Sequence, residues 1–435
     1  MRNKLVSMLV VVGGCCCAVS AQQTLHLSQQ QCREMALRHN EDLKKADAAV
    51  QKAELDRQIA FAAYLPKLDG SLSALYMNDQ NLSGQTLQLR GMYLAGIQIV
   101  EPLYVGGQIT AANRLAKLGK ECQEEQRRKT HAEVIAEVDK AYFNLISVHG
   151  KVQMLEAISR QIEELGHKVS VSVDAELATG NDLLRVQTKL SELKYQLQKA
   201  RNGEELCRLA LGSTLGLGLD EQVYPTDTTL AITAPSSLDD NIANRPELAL
   251  LQKNVKVKEA QLKKERSNYL PTVALSAGYT YYGNLKLKGT TTLPDGSPYH
   301  YTQEYKDGVT MGMLSVSIPL FHWGAEFKKV KKAKIDLEDA RLDLQKNSRL
   351  LSIETRQAVQ NLTSGYQMIE TAELGQRQAD ENLRVMQNKY EASMATLTDL
   401  LEAESQWQQA HSNLIEAQTQ YKVYETEYLR VTGRL

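Results

Sequence analysis

The chain has 435 residues, more than one ordinary compact domain needs, and its 51 basic and 52 acidic residues leave a formal net charge of −1. That balance excludes an extended basic field or an acidic tail, so no nucleic acid partner is expected. With only 2 Trp, 4 Phe and 9 Pro beside 19 Tyr, the composition speaks against a large enzyme core and for long helices.

The chain opens with MRNK, then the short apolar run LVSMLVVVGGCCCAV, then the small-residue site Val19-Ser20-Ala21. Residues 1–21 are therefore expected to be an export signal. Val12-Gly13-Gly14-Cys15 also loosely resembles a lipobox, so lipid attachment at Cys15, Cys16 or Cys17 is a second route. No later stretch reaches ~18 consecutive apolar residues, the length of a membrane helix. Cys32, Cys122 and Cys207 are odd in number and far apart, without a CxxC pair; they are expected to be isolated residues on helices, and no metal or cofactor is expected.

Residues 29–64 are rich in Ala, Leu, Lys, Glu and Gln and predict helix. After Pro66 the period changes to two: Leu68, Gly70, Leu72, Ala74 and Tyr76 share one face, which predicts a strand over 67–77. The polar stretch MNDQNLSGQTLQLRG predicts a loop, and Tyr93, Ala95, Ile97 and Ile99 a second strand over 92–101, ending at Pro102. From there to Pro225 the chain has no proline. Ile135, Val138, Tyr142, Leu145, Val148, Val152, Leu155, Ile158, Ile162, Leu165 and Val169 step by threes and fours, a narrow stripe suited to coiled-coil packing. A helix over 108–172 would be roughly 100 Å long at ~1.5 Å per residue. It breaks near 173–182, the expected tip of a hairpin, and returns through 183–211. Residues 214–241 read as an irregular equatorial linker.

The second half repeats the first. Tyr64-Leu65-Pro66 recurs as Tyr269-Leu270-Pro271, Pro102 as Pro319, Asn144-Leu145 as Asn361-Leu362, Ala178-Thr179 as Ala395-Thr396, and Asp182-Leu183-Leu184 as Asp399-Leu400-Leu401. The register changes once, in the loops after Tyr76 and Tyr281. Strands are thus expected over 272–282 and 309–318 with a longer loop between them, and a second tip near 390–399. The chain divides into a first unit (22–213), the linker (214–241) and a second unit (242–435). Pro66, Pro102, Pro271 and Pro319 mark the four helix–strand corners.

Four strands of roughly ten residues have membrane-strand length but cannot close a barrel, and open edges are not tolerated in lipid. Several copies could close one, with 8 strands from two chains or 12 from three. The sequence has no GxxxxGK[ST], HExxH or GxSxG motif and no paired histidines, so no catalysis is expected. A structural periplasmic coiled-coil scaffold would explain the helices but not four proline-bounded strands. An adaptor with a single helical hairpin would not be duplicated.

Over residues 25–433 the chain resembles the outer-membrane efflux protein family typified by TolC. The resemblance rests on YLPKLDGSLS and YLPTVALSAG, EPLYVGGQ and IPLFHWGAE, ANRPEL, and the tip sequences LATGNDLLRVQTKL and YEASMATLTDLLEAES, in doubled order. It implies a mainly α protein with a membrane β-barrel: a homotrimer whose twelve strands form one barrel in outer-membrane lipid and whose helices form an α-barrel across the periplasm. It implies a passive exit duct for efflux or type I secretion, driven by an inner-membrane pump of resistance-nodulation-division or ABC type through a periplasmic adaptor (membrane fusion protein). Drugs, metal ions and polypeptides are all cargo of such ducts.

The resemblance also implies pore-aperture residues. Asp399 and Glu402, one helical turn apart, fall on an acidic ring; Tyr390 falls on a linking tyrosine and Asp182 on its partner. Ala395 stands where the type member has an arginine latch, and Arg185 is expected to pair with an acid across the tip. Asp182 and Asp399 also suit helix capping. Thr179, Gly180, Leu184, Thr396 and Leu401 fall where the family docks its adaptor.

Overall fold

The computed structural model describes residues 24–435 apart from 83, 84, 90, 219, 220, 228 and 322. The expected export signal at 1–21, with Cys15, Cys16 and Cys17, lies outside the described residues. In chain order the elements are β1 (Thr24–Leu27), α1 (Gln29–His39), α2 (Glu41–Ala62), β2 (Lys67–Leu75), β3 (Gln80–Leu82), β4 (Gln85–Gln88), β5 (Met92–Val105), α3 (Gln108–Asp174) and α4 (Gly180–Thr214). They continue with β6 (Gln222–Pro225), α5 (Pro246–Ser267), β7 (Thr272–Thr292), β8 (Pro298–Ser317), α6 (Ala325–Glu391) and α7 (Leu397–Val431).

The long helices come in matched pairs: α3 and α6 each have 67 residues, and α4 and α7 each have 35. At ~1.5 Å per residue the longer pair run about 100 Å. Each starts at a left-handed glycine, Gly107 at φ 83° and Gly324 at φ 73°. Such a turn swings the chain out of a strand into a helix, a geometry that costs L-residues with a Cβ about 1–2 kcal/mol.

The helices pack around separate cores. Near the middle, Cys32 and Ala36 of α1 meet Val138, Tyr142 and Leu145 of α3, with Leu211 and Val223. A second core joins Leu155, Ile158, Ile162, Leu165 and Val169 of α3 to Val186 and Leu193 of α4, Leu383 of α6, and Leu397, Leu400 and Ala403 of α7. The stripe of α3 thus fills two cores in succession, so one periodic run holds the long helix along its length. Among the described residues, no helix is long and apolar enough to cross a membrane.

The main sheet runs β2-β5-β7-β8, all antiparallel. Its register places Leu68 opposite Ile99, Ile99 opposite Ala277, and Leu275 opposite Leu314. Because side chains alternate, one face collects Leu68, Leu72, Tyr93, Ile97, Ile99, Leu275, Tyr279, Leu314 and Val316, and the other Asp69, Ser71, Ser73, Gln98, Ser276 and Ser315, with Val309, Met311 and Met313 of β8 among these polar residues. Leu68, Leu72 and Leu314 are 70%, 81% and 62% exposed, too apolar a face to leave in water.

The strands depart from the sequence expectation in four places. The longer loop expected between 282 and 309 is mostly strand: β7 and β8 stay paired from Thr272↔Ser317 to Thr292↔Pro298, and only residues 293–297 turn. The 77–91 loop contains β3 and β4, and β4 pairs with the upper part of β7. The strand expected to stop near Pro102 runs to Val105. Its pairing with β2 ends at Val100↔Lys67, so Pro102 sits at a local edge, beside a register shift, where its missing N–H leaves no ladder bond unmade. Finally, the linker is not wholly irregular: β6 pairs in parallel with β1, tying it to the start of the described chain.

Candidate functional site at the hairpin tips

Each helical hairpin ends in the same turn. In the first, Leu177 N–H bonds Ser172 O at 2.8 Å and Glu176 takes φ 59°; in the second, Met394 N–H bonds Lys389 O at 2.7 Å and Ser393 takes φ 58°. These are helix ends closed by a left-handed residue. The return helix then opens with a capping box. Thr179 Oγ1 accepts from Asp182 N–H at 3.3 Å while Asp182 Oδ2 accepts from Thr179 N–H at 3.2 Å; Thr396 and Asp399 repeat this at 3.2 and 2.9 Å. Threonine and aspartate three residues apart thus satisfy orphan N–H groups at both tips.

Capping holds Asp182 and Asp399 below the usual carboxylate range, through the threonine hydroxyl first and its N–H second. Asp399 and Glu402 lie exposed one turn apart on α7, and Glu402 accepts from Gln406 Nε2 at 3.4 Å. Tyr390 lies half-buried against the tip core; burial first, and the Asp182 carboxylate second, push its phenol up. Asp182 therefore lies within electrostatic reach of Tyr390, while its hydrogen bonds go to Thr179.

Arg185 departs from expectation. Its Nη1 donates to the Thr398 hydroxyl on α7, not to an acid. The two tip aspartates, Asp182 and Asp399, are engaged by their caps. Arg185 and Thr398 line an open groove between α4 and α7 with Leu184, Thr188, Lys189 and Leu401. Leu184 is 61% exposed, Leu401 is half-buried, and a Cβ on Gly180 would meet nothing within 4 Å. Lys168 and Glu391, 3.4 Å apart, join the ends of α3 and α6.

Sequence reasoning missed Leu177 and Met394, 84% and 76% exposed at the two apices. The repeat register that pairs Thr179 with Thr396 also pairs these two, a signal that was present. It missed Lys189 and Thr398 too, which are ordinary polar residues until the helices are brought together. Among the described residues, no group of three or more His, Cys, Asp or Glu comes together as a metal site would require.

The profile of the outer membrane efflux proteins matches residues 32–216 and 238–434. The fold and the doubled tips therefore define a known class of outer-membrane channel. The chain belongs to the outer membrane efflux protein family. It is 20% identical over 402 residues to the proteases secretion protein PrtF of Dickeya chrysanthemi, covering 88% of this chain and 83% of PrtF. It is 22% identical over 404 residues to the outer membrane protein TolC of Vibrio cholerae, covering 89% of this chain and 86% of TolC. Among solved structures, the Campylobacter jejuni CmeC outer membrane channel matches with a TM-score of 0.79 at 19% identity, over 93% of this chain and 85% of CmeC. CusC matches with a TM-score of 0.78 at 17% identity, over 94% and 92%.

Proposed function

We propose that three copies of this chain assemble into one conduit, the passive exit duct of a tripartite efflux or type I secretion system. An inner-membrane pump of resistance-nodulation-division or ABC type drives it through a periplasmic adaptor. The observation that carries the reading is the sheet. Four strands present one apolar face and two unpaired edges, β2 and β8, in a chain of an outer-membrane family. A single copy in lipid leaves both edges unsatisfied, and three copies give twelve strands in a closed wall. Exposed Leu320, Phe321 and Trp323, just below β8, suit the lipid headgroup level.

In this reading the chain is a duplicated domain, 22–213 and 242–435, joined by an equatorial linker at 214–241; the two stretches matched by the family profile support that division. The helical hairpins form the periplasmic tube. The tips of α6 and α7 form its aperture, lined by Asp399 and Glu402, with Tyr390, Asp182 and Arg185 holding the inner hairpin against the outer one. Thr179, Gly180, Leu184, Thr396 and Leu401 receive the adaptor. Gly180 supports this role, because the open space around it gives packing no reason to require glycine.

The test is reconstitution. The purified protein should run as a heat-resistant trimer in detergent and conduct ions across a planar bilayer, and a tagged copy should retain a periplasmic hairpin protein. A monomer that conducts nothing would overturn the proposal.

A further inference from the structure

The outer and inner hairpins of one protomer touch along α3 and α7, and near the tips α4 faces α7 across a wider seam. The backbones there stand further apart than within either hairpin, so long side chains span the gap. Three polar bridges cross it: Arg185 Nη1 to Thr398 Oγ1, Lys189 Nζ to Ser405 Oγ at 3.1 Å, and Gln408 Nε2 to Gln196 Oε1 at 2.8 Å. Next to the middle bridge is Glu404. It is 5% exposed, and its Oε2 is fully buried with no hydrogen-bond partner among the described residues.

A buried carboxyl without a partner tolerates its neutral form far better than its charged one. Burial pushes Glu404 up to about 7, against the opposing pull of Lys189. The Lys189 ammonium is itself shared between Ser405 Oγ and Glu192 Oε2, the latter 3.5 Å away. Other charges at this level have partners of their own. On α3, Glu163 takes Lys194 at 2.9 Å and Lys168 takes Glu391 at 3.4 Å. On α6, Asp380 accepts from Trp407 Nε1 at 2.5 Å and meets His411 Nε2 at 3.0 Å, and Glu381 takes Arg384 at 2.6 Å. Glu404 is the carboxyl that the seam encloses.

We infer that Glu404 is a proton-operated seal: the α4–α7 seam stays packed while its carboxyl carries a proton and parts more readily once it ionises. The inference rests on the proposed reading of the tips as an aperture. In the parted seam the carboxyl faces water and titrates in its ordinary range. Protons therefore bind the packed form more tightly, and packing weakens as pH rises from that range through neutrality. Asp182 and Asp399 are shifted the opposite way and stay ionised throughout that window.

Full-length trimers in planar bilayers should conduct at least about threefold more at about pH 8 than at about pH 6, and Glu404→Gln should hold the low conductance at both. Lys189→Met, which removes the cation favouring ionisation, should move the transition to higher pH. A Glu404→Gln channel with the wild-type pH response, or a Lys189→Met channel with an unmoved midpoint, would overturn the seal. Hydrogen exchange over residues 397–407, corrected for its intrinsic pH dependence, reads the seam without conduction. It should rise with pH in the wild type and stay flat in Glu404→Gln; equal profiles would sink the inference. A wild type with the expected exchange but no conductance would instead count against the proposed function.

Discussion

One carboxylate at the second tip is asked to do two jobs. Asp399 caps α7 through Oδ2 and, in the proposed trimer, faces the bore with Glu402. The two are compatible, because the hydroxyl and N–H of Thr396 stabilise the charge that the ring needs. Three copies bring six carboxylates to a narrow opening, which favours cations. Replacing both residues in Asp399→Ala/Glu402→Ala should weaken block by multivalent cations on the order of tenfold in single-channel recordings. Unchanged block would remove them from the aperture. Because capping depresses Asp399, its share of the block should persist as pH falls through the ordinary carboxylate range and disappear only below it; Thr396→Ala should bring that loss to higher pH. The position of Asp399 was legible from the doubled Thr-x-x-Asp and the family resemblance. Glu404 was not, because one more glutamate in a polar helix looks solvated until two hairpins enclose it. The same holds for Arg185, whose hydroxyl partner lies 213 residues away.

Strand pairing in the sheet is fixed by tyrosines lying over glycines. A Cβ on Gly308 would collide with the ring of Tyr279, one on Gly283 with Tyr93, and one on Gly289 with Tyr301. The last two pairs sit directly opposite across the ladder, and Tyr301 also receives a hydrogen bond from Gln85 Nε2 at 2.8 Å. An aromatic ring laid on a bare backbone pins the register between neighbouring strands. Gly308→Val should therefore destabilise the sheet by about 1–3 kcal/mol, seen as trimers that dissociate at lower temperature in detergent. Gly312→Ala, four residues along the same strand with open space at its Cβ, should leave the dissociation temperature unchanged. Equal effects would mean that the rings simply swing aside. The period-two face made these strands readable through Tyr282. Beyond it, Lys286, Lys288, Thr290 and Thr292 belong as well to a loop as to a strand, and it is backbone pairing, not burial, that carries β7 and β8 to 21 and 20 residues. The β1–β6 pair was hidden for a related reason: four residues pair with four nearly 200 positions away, and neither segment has a period of its own to announce it.

The four-stranded sheet also constrains the proposed trimer. Within one protomer β2 and β8 are opposite edges, three strand spacings apart, or about 14 Å along the sheet. Cysteines cannot bridge Cα atoms more than about 7 Å apart, so no β2–β8 disulfide can form inside a chain. In a closed ring each β8 lies beside the β2 of the next copy, and the same residues become neighbours. One cysteine at Leu68, Gly70 or Leu72 combined with one at Gly312, Leu314 or Val316 should therefore oxidise only between chains. Because head-to-tail contacts around a three-fold axis close on themselves, the products should be dimer, linear trimer and a covalent ring of three, with nothing larger. The helices impose the same condition independently. Tubes of about 100 Å helices enclose a passage only if α3 and α6 of all copies stand side by side, and Glu404 can act as a seal only if the inner hairpins face a common axis. A scan of these cysteine pairs that gave dimers alone, or ladders running past three, would break the ring and with it the aperture on which the charge ring and the seal depend.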